Sequence, residues 1–354
     1  MKPQKYETMI MSWSCFGDFI LIAQSMHTLI QSGVIKKGII ISHQKEFEHL
    51  LEKNLNIRVV YPTKRMADFL YLTSLCFKRN IFVLQDMPSH NKFTRELRLL
   101  MSIFLTIIPK SKLLLLIDAD FKPSVTTKIS KVFAKKISLF SKEAKTHISQ
   151  YMLDILYATS IAPKLICNYT LLPTAIKPKT DYGEYLVLHP FAGGKDKSPA
   201  LIWWKSLVEI IENTFPHLKI VVTGSLFDKE KALEILKGSK DGISVCGDLN
   251  FNETIYVLKH AKAMVSVDTG PMHYAALHGV KQVLIWVHPN YTYMPVFNPH
   301  AQIVNENVVL QASAIYNKEH MFTPHVDIQA MVDALDHLLK TPATAASTSA
   351  SSIK

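Results

Sequence analysis

The sequence predicts an α/β protein built from two Rossmann-like, doubly wound domains that face each other across a cleft. Short apolar runs alternate with stretches of helical periodicity in both halves of the chain, and strands separated by helices form parallel sheets with right-handed crossovers. A stretch with two prolines, one glycine and no periodicity, residues 173–184, is typical of a linker. At 354 residues the chain is long enough for two domains of ordinary size.

The same alternation sets the predicted domain boundaries. An N-terminal domain covers residues 1–172 and a C-terminal domain covers residues 185–325, on either side of the linker. A further helical pattern over residues 326–340 is expected to close the fold. Residues 341–354 are small and polar without apolar periodicity, which predicts a disordered tail.

The N-terminal series begins with a strand from Glu7 to Trp13 and a helix that runs to Gly33. Gly17 and Asp18 lie at the corner between them, and such corners face the ligand cleft of a doubly wound domain. Residue type alone favours a helix N-cap role for Asp18. The series continues with strand GIIISH, helix KEFEHLLEK, strand IRVVYP, a helix from Lys64 to Cys76, strand NIFVLQD, a helix from Lys92 to Ile108, strand SKLLLLID and a helix near Thr146 to Ser160.

Positive charge is concentrated in the first half of the chain. Residues 1–175 hold 24 Lys and Arg against 12 Asp and Glu, whereas residues 176–354 hold 16 against 17. A basic half favours an anionic partner such as a membrane surface or phosphorylated lipid, although a solvated lysine-rich surface gives the same count. The basic, amphipathic segment from Lys128 to Phe140 could form a helix at such a surface or pack on its own domain. No nucleic-acid-binding motif accompanies the charge, which disfavours nucleic acid as a partner.

The cysteines and the N-terminus indicate a cytoplasmic protein. The four cysteines show neither metal-binding nor disulfide spacing, which fits a reducing cytosol. The first residues lack the features of an export signal. The longest mainly apolar run, Leu99 to Ile108, is too short to span a bilayer.

The C-terminal series ends in the stretch of greatest chemical interest. It consists of strand EYLVLHP, loop FAGGKDKSPA, a helix from Ile202 to Phe215, strand KIVVTG, a helix from Asp228 to Leu236, strand ISVCGD, helix NETIYVLKHA and the stretch AMVSVDTGPMHYAALHGVKQVLIW from Ala263 to Trp286. This last stretch predicts strand, loop, helix and strand in turn.

The turn inside this stretch has the properties of an anion site. Asp268 or Thr269 can cap the helix. Pro271 suits its first turn, and Gly279 can end it. Amide groups at such a helix start form a site for a diphosphate, and His273 on the first turn would lie beside the anion. The turn could equally be only a tight connection, with His273 a satisfied helix residue.

The string SVDTGPMHYAA resembles the signature of the heptosyltransferase family, inverting glycosyltransferases of the GT-B fold that use ADP-heptose to build the lipopolysaccharide inner core. The resemblance implies a GT-B plan with the site between the two domains. It also implies that Asp268, Thr269, Gly270 and His273 bind the donor. The final helix often packs back onto the N-terminal domain in GT-B enzymes, and we expect the same here.

The same resemblance extends to the first corner of the chain. These enzymes carry a similar Gly-Asp there, which implies that Asp18 is the catalytic base and that Gly17 lies on the acceptor side. This role reverses the preference for an N-cap that residue type alone gives.

The loop PFAGGKDKSPALIWW corresponds to a Lys-x-Trp-Pro segment of the family. Gly193 and Gly194 allow the backbone to approach a ligand, and lysines meet negative charge. The resemblance implies that Lys197, or alternatively Lys195, meets the donor phosphate. The chain departs from the family here, because Ser-Pro follows Lys197 and two tryptophans come later, at positions 203 and 204.

The segment VVTGSLFDKEKA resembles the family's Gly-x-x-x-Glu-x-Glu segment, with Asp228 in place of the first Glu and Glu230 matching the second. Asp228 could meet nucleoside hydroxyls, or it could be a helix-start acid favoured by the helix dipole. After Trp286 the chain has Val-His-Pro-Asn where the family often has Phe-Gly-Pro-Thr.

These likenesses imply an inverting, metal-independent glycosyltransferase that moves a heptose or related sugar from an ADP-sugar to a lipopolysaccharide-core or other glycan acceptor. No cofactor is implied, since the nucleotide sugar is a substrate. The expected partners are the nucleotide sugar, an anionic glycolipid or glycan acceptor, and the cytoplasmic face of the inner membrane as a peripheral contact. Two interpretations stay open: another GT-B nucleotide-sugar enzyme, including an epimerase, and a non-catalytic anion-binding or interaction protein on the same fold.

Overall fold

The computed structural model describes residues 6–12, 16–42, 50–51, 56–61, 66–75, 80–86, 112–118, 136–140, 147–193, 197–286, 295, 301–304 and 326–340. Within these residues the chain forms two six-stranded sheets, and every strand pair in them is parallel. Between the sheets, residues 161–184 contain no helix or strand, and the predicted linker lies inside this stretch. The predicted α/β class is confirmed.

The N-terminal sheet contains β1 (Tyr6–Ser12), β2 (Ile35–Ile41), β3 (Ile57–Val60), β4 (Asn80–Asp86), β5 (Lys112–Asp118) and β6 (Lys136–Phe140). The strand order is β3-β2-β1-β4-β5-β6. The chain winds from β1 out to β3 and then returns to the other side of β1, so the order reverses between β1 and β4. Ligands of such sheets bind outside the carboxyl ends of the strands at this reversal.

The C-terminal sheet contains β7 (Tyr185–His189), β8 (Lys219–Val222), β9 (Gly242–Ser244), β10 (Ala263–Val267), β11 (Gln282–Ile285) and β12 (Ala301–Val304). The strand order is β12-β11-β10-β7-β8-β9, so the reversal falls between β7 and β10. Both of these central strands are buried along their whole length. A strand covered on both faces is mainly apolar, and the exceptions here are His189 at the end of β7 and Ser266 in β10.

Eight α-helices lie in the described part of the chain. They are α1 (Phe16–Gln31), α2 (Met66–Leu75), α3 (Ile148–Ala158), α4 (Leu201–Thr214), α5 (Lys229–Ile235), α6 (Phe251–His260), α7 (Gly270–Leu277) and α8 (Ile328–Lys340). A short 3-10 turn, Leu226–Asp228, precedes α5. None of these helices has the length and apolarity needed to cross a bilayer.

Helix α1 is the central helix of the molecule. Its residues 19–29 are all buried, and it packs against α3, against β2 and against α7 of the C-terminal half. The side chain of Gln24 donates to the carbonyl of Leu171 over 2.6 Å and accepts from the Leu171 amide over 3.1 Å. Ser149 Oγ donates to the Leu21 carbonyl over 2.8 Å. These buried bonds join α1 to the stretch between the sheets and to α3.

Two expectations about the ends of the domains are wrong. Residues 136–140, inside the segment expected to be a basic amphipathic helix, form the edge strand β6. Helix α8 was expected to return to the N-terminal domain, but its buried side chains join the core of the C-terminal domain, where the helix packs on α4, β11 and β12. The apolar face of α8 therefore covers part of the C-terminal sheet and extends the core between that sheet and α4.

Three other predictions lie outside the described residues. They concern the helix from Lys92 to Ile108, most of the helix KEFEHLLEK, and the tail over residues 341–354.

Candidate functional site

The N-termini of α1 and α7 meet between the two sheets. A Cβ atom built on Gly17 would lie 3.0 Å from Gly270 Cα and 2.8 Å from His273 Cδ2, so the backbones approach closely at a residue without a side chain. The two helices follow β1 and β10, the central strands beside the two reversals in strand order. The unpaired amides and the positive dipole ends of both helices therefore lie in the same place.

Helix α7 starts without a side-chain cap. Its N-cap residue, Thr269, has extended backbone with φ −154° and makes no capping hydrogen bond with its side chain. Pro271 lies in the first turn, and Gly279 follows the helix with φ +72°, both as the sequence predicts. The first amides of α7 are therefore left for an acceptor other than the Thr269 side chain.

Lys197 and Asp268 form an ion pair at the same edge of the sheet. Lys197 Nζ donates to Asp268 Oδ2 over 2.8 Å, and the two side chains are 28% and 12% exposed. The pair joins the loop after β7 to the turn after β10, and these strands are neighbours. Gly193 is exposed at the start of the loop, whereas Gly194 and Lys195 lie outside the described residues.

His273 is a buried histidine with an unused nitrogen. The residue is 5% exposed, and its Nδ1 has no hydrogen-bond partner in the described part of the chain. Burial lowers the pKa of the imidazole to about 4; the Asp268 carboxylate acts against this shift and the Lys197 ammonium adds to it. The ring is therefore neutral at pH 7. A buried polar atom without a partner costs free energy until a ligand or a water meets it.

A second buried histidine, His189, was not singled out from the sequence. It ends β7, lies opposite Ser266 of β10 in the sheet register, and its Nδ1 is 2.9 Å from Thr223 Oγ1. Burial lowers its pKa to about 4. The sequence signal was a histidine at the carboxyl end of an apolar strand, the position from which side chains reach the ligand edge of a parallel sheet.

Asp228 has a local role in the structure. Its Oδ2 accepts from the Ser225 amide over 2.9 Å and from Ser225 Oγ over 2.6 Å at the start of the 3-10 turn. These two contacts support the interpretation of Asp228 as a helix-start acid. Glu230 is exposed in the first turn of α5.

Asp18 lies in the first turn of α1, directly after Gly17. Its backbone is therefore beside the meeting point of the two helices, and its side chain lies outside the described residues. Among the residues that the structure describes, no group of three or more His, Cys, Asp or Glu side chains could hold a metal ion.

The chain has two doubly wound domains, and helix N-termini, a lysine and a buried histidine lie at the reversals of their strand orders. This arrangement follows the plan of GT-B glycosyltransferases. The protein has the fold of this class. Residues 161–322 match the family model of Glycosyltransferase family 9 (heptosyltransferase). The likeness of the DTGPMH turn to heptosyltransferases is thereby confirmed.

Solved structures share the fold over almost the whole chain. The heptosyltransferase II of E. coli, described as an ADP-heptose lps heptosyltransferase, has a TM-score of 0.67 at 14% identity and covers 94% of this chain and 98% of its own. A family 9 glycosyl transferase from Veillonella parvula has a TM-score of 0.70 at 13% identity, with 95% and 98% covered. The E. coli heptosyltransferase WaaC with ADP has a TM-score of 0.60 at 15% identity, with 94% and 99% covered. A search of curated proteins finds no match.

Proposed function

We propose that the protein is an inverting glycosyltransferase that moves a heptose, or a related sugar, from an ADP-sugar to a lipopolysaccharide-core or other glycan acceptor. The observation that carries the proposal is the meeting of the α1 and α7 N-termini beside the Lys197–Asp268 ion pair. The family 9 match supports sugar transfer, and the likeness to heptosyltransferases, one of them solved with ADP, supports an ADP-sugar as donor.

The donor diphosphate is proposed to lie against the amides of Thr269 and Gly270 at the start of α7. Lys197 is already at this edge of the sheet through its bond to Asp268, and its ammonium supplies a positive charge for the phosphate oxygens. His273, buried and neutral, offers a ring nitrogen as a hydrogen-bonding group on the first turn of the same helix.

Asp18 is the proposed general base. It takes the proton of an acceptor hydroxyl while that oxygen forms a bond to the anomeric carbon of the donor sugar. The bond from this carbon to the diphosphate breaks at the same time, and its electron pair leaves with the nucleoside diphosphate. Attack from the side opposite the leaving group inverts the configuration. A positioned base contributes ~10²–10⁴-fold, and stabilisation of the leaving charge adds to it.

The proposed reaction needs no metal ion, because Lys197 and the amides of α7 supply positive charge for the leaving diphosphate. Transfer should therefore survive treatment with EDTA followed by removal of the chelator. An activity that disappears on chelation and returns with a divalent cation would contradict this part of the proposal.

The composition of the first half of the chain supports an anionic acceptor, since this half contains 24 Lys and Arg but only 12 Asp and Glu. We propose that the protein works in the cytoplasm, at the cytoplasmic face of the inner membrane, where such a glycolipid acceptor is presented. In this proposal the protein binds the membrane surface peripherally.

A panel of nucleotide sugars tests the donor assignment. Thermal shifts are measured with ADP-, GDP-, UDP- and CMP-sugars, and a ligand at about 100 times its dissociation constant stabilises the fold by roughly 2.7 kcal/mol. We expect the largest shift with an ADP-sugar, and release of ADP when a lipopolysaccharide-core acceptor is added. A larger shift with another nucleotide would reject the donor. Binding without release in the presence of such acceptors would favour a non-catalytic anion-binding protein.

A further inference from the structure

The indole of Trp204 is bonded to the loop that carries Lys197. Trp204 is fully buried in the core beneath α4, and its Nε1 donates a hydrogen bond to Ser198 Oγ over 3.0 Å. Ser198 Oγ donates in turn to the carbonyl of Pro199 over 3.2 Å. The serine hydroxyl therefore has a donor and an acceptor, and a ring that cannot move in its core holds the turn before α4 in place.

Lys197, the residue before Ser198, is held at two points. Its backbone is adjacent to the Ser198–Trp204 bond, and its ammonium is bonded to Asp268 over 2.8 Å. The Lys-x-Trp-Pro segment of the heptosyltransferases has a tryptophan two residues after the lysine, whereas this chain has proline at that position. Here the ring that reaches the loop comes from α4.

We propose that Trp204 and Ser198 are positioning residues for nucleotide-sugar binding, which hold the backbone at Lys197 so that its ammonium is beside Asp268 before the donor arrives. The inference rests on the proposed role of Lys197 in meeting the donor diphosphate. Neither Trp204 nor Ser198 needs to touch the ligand; both act through Lys197.

The physical gain lies in the entropy of binding. Lysine is among the side chains that lose most rotamer freedom when they are fixed, and a loose loop adds backbone freedom to that loss. If the loop is ordered in the free protein, this loss does not have to occur when the diphosphate binds. A Lys197 side chain that is already in place therefore lowers the dissociation constant of the donor.

Single substitutions separate the hydrogen bond from core packing. Trp204→Phe keeps an aromatic ring in the core and removes the N–H, while Ser198→Ala removes its acceptor. Each should raise the dissociation constant of ADP about 3- to 10-fold, the range expected for one neutral hydrogen bond. Trp203→Phe is the matched control, because Trp203 lies next to Trp204 but donates to the Val326 carbonyl over 2.7 Å. It should leave the ADP dissociation constant unchanged.

A double-mutant cycle tests whether the effect passes through Lys197. Lys197→Met should weaken ADP binding by itself, and adding Trp204→Phe to it should have no further effect. Ser198→Thr retains the hydroxyl and should bind ADP like the parent. The proposal is overturned if folded Trp204→Phe binds ADP as tightly as the parent, or if its effect is undiminished in the Lys197→Met background.

A second measurement does not depend on a nucleotide. Acetylation of Lys197 by acetic anhydride, followed by mass spectrometry, should be several-fold faster in Trp204→Phe and Ser198→Ala than in the parent or in Trp203→Phe, with the exposed Lys219 as internal reference. Equal rates in all four proteins would overturn the positioning role even if ADP binds. Faster labelling in a protein that binds no ADP would support the positioning role and reject the proposed donor.

Discussion

Asp18 is the single residue on which the proposed transfer depends most directly. Asp18→Asn keeps the shape of the side chain and removes its basicity, so we expect transfer to be abolished while ADP affinity stays close to that of the parent. Turnover and calorimetric titration measure the two quantities separately. Asp181→Asn, at an exposed position between the sheets, is the control and should change neither. An Asp18→Asn protein that keeps at least half of the parent turnover would mean that Asp18 is only an acid in the first turn of α1.

His273 leads to a prediction about pH. Its pKa is about 4 in the free protein because of burial, and a bound diphosphate should raise this pKa. The complex then binds more protons than the free protein, so His273 should strengthen ADP binding as the pH falls from 7 toward 5. His273→Ala should lose this contribution and, at pH 7, about 1–3 kcal/mol of binding free energy, the range of a hydrogen bond to a charged group.

The readout for His273 is the difference between parent and variant, because the terminal phosphate of ADP itself titrates near pH 6. Calorimetric titrations at pH 5, 6 and 7, with circular dichroism to check folding, supply it. Parallel pH profiles for the parent and His273→Ala would contradict a contact between this ring and the diphosphate.

Only some of the site residues could be found from sequence. The turn around Thr269 was predictable because capping, proline and glycine preferences act within one helix. His189 was missed because a histidine at the end of an apolar strand is only a weak signal, and its place opposite Ser266 in the sheet is not visible in the sequence. The bond from Trp204 to Ser198 could not be predicted either, since residue type does not say which buried acceptor an indole N–H will meet.

At the scale of elements, the contact between α1 and α7 depends on glycine at position 17. Gly17→Ala would place a Cβ atom 2.8 Å from the His273 ring and 3.0 Å from the Gly270 backbone, so one helix must shift. Overpacking of this kind costs about 1–3 kcal/mol. We expect a fall of that size in the free energy of unfolding, measured with urea, together with reduced turnover.

Gly193→Ala is the matched control for this substitution, because nothing lies within 4 Å of a Cβ atom built there. Its free energy of unfolding should equal that of the parent. If Gly17→Ala is as stable as Gly193→Ala and as active as the parent, the two helices do not need their close approach.

Local sequence predicted most strands of the C-terminal sheet, but not the strand β6 or the packing of helix α8. Alternation of apolar runs and helical patterns predicted β7 to β11 in order, because the strands of a buried parallel sheet are mainly apolar. The strand β6 was taken for part of a helix because its sequence, KISLF, is short and has no period that excludes one. The side on which α8 packs depends on which surface is left uncovered by the rest of the chain, and this information is not local to the helix.

At the scale of the whole molecule, the uneven charge predicts uneven sensitivity to salt. If the basic first half meets an anionic acceptor, raising the ionic strength should weaken binding of the acceptor, or of anionic liposomes, much more than binding of ADP. The reason is that exposed charges are screened first, whereas the Lys197–Asp268 pair is largely shielded from solvent. Titrations between 50 mM and 500 mM salt measure both affinities. Equal salt sensitivity, or no binding to anionic liposomes at low salt, would count against the proposed acceptor.

The position of α1 also has a consequence for synthesis on the ribosome. This helix is complete when residue 31 has been added, yet one of the surfaces that covers it, α7, ends at residue 277. At ~5–20 residues per second the delay is roughly 10–50 s. During that time a helix that is buried on nearly every side in the finished protein has only part of its final covering. We expect nascent chains that end before β10 to need chaperones and to aggregate when released, although their own sheet is already complete.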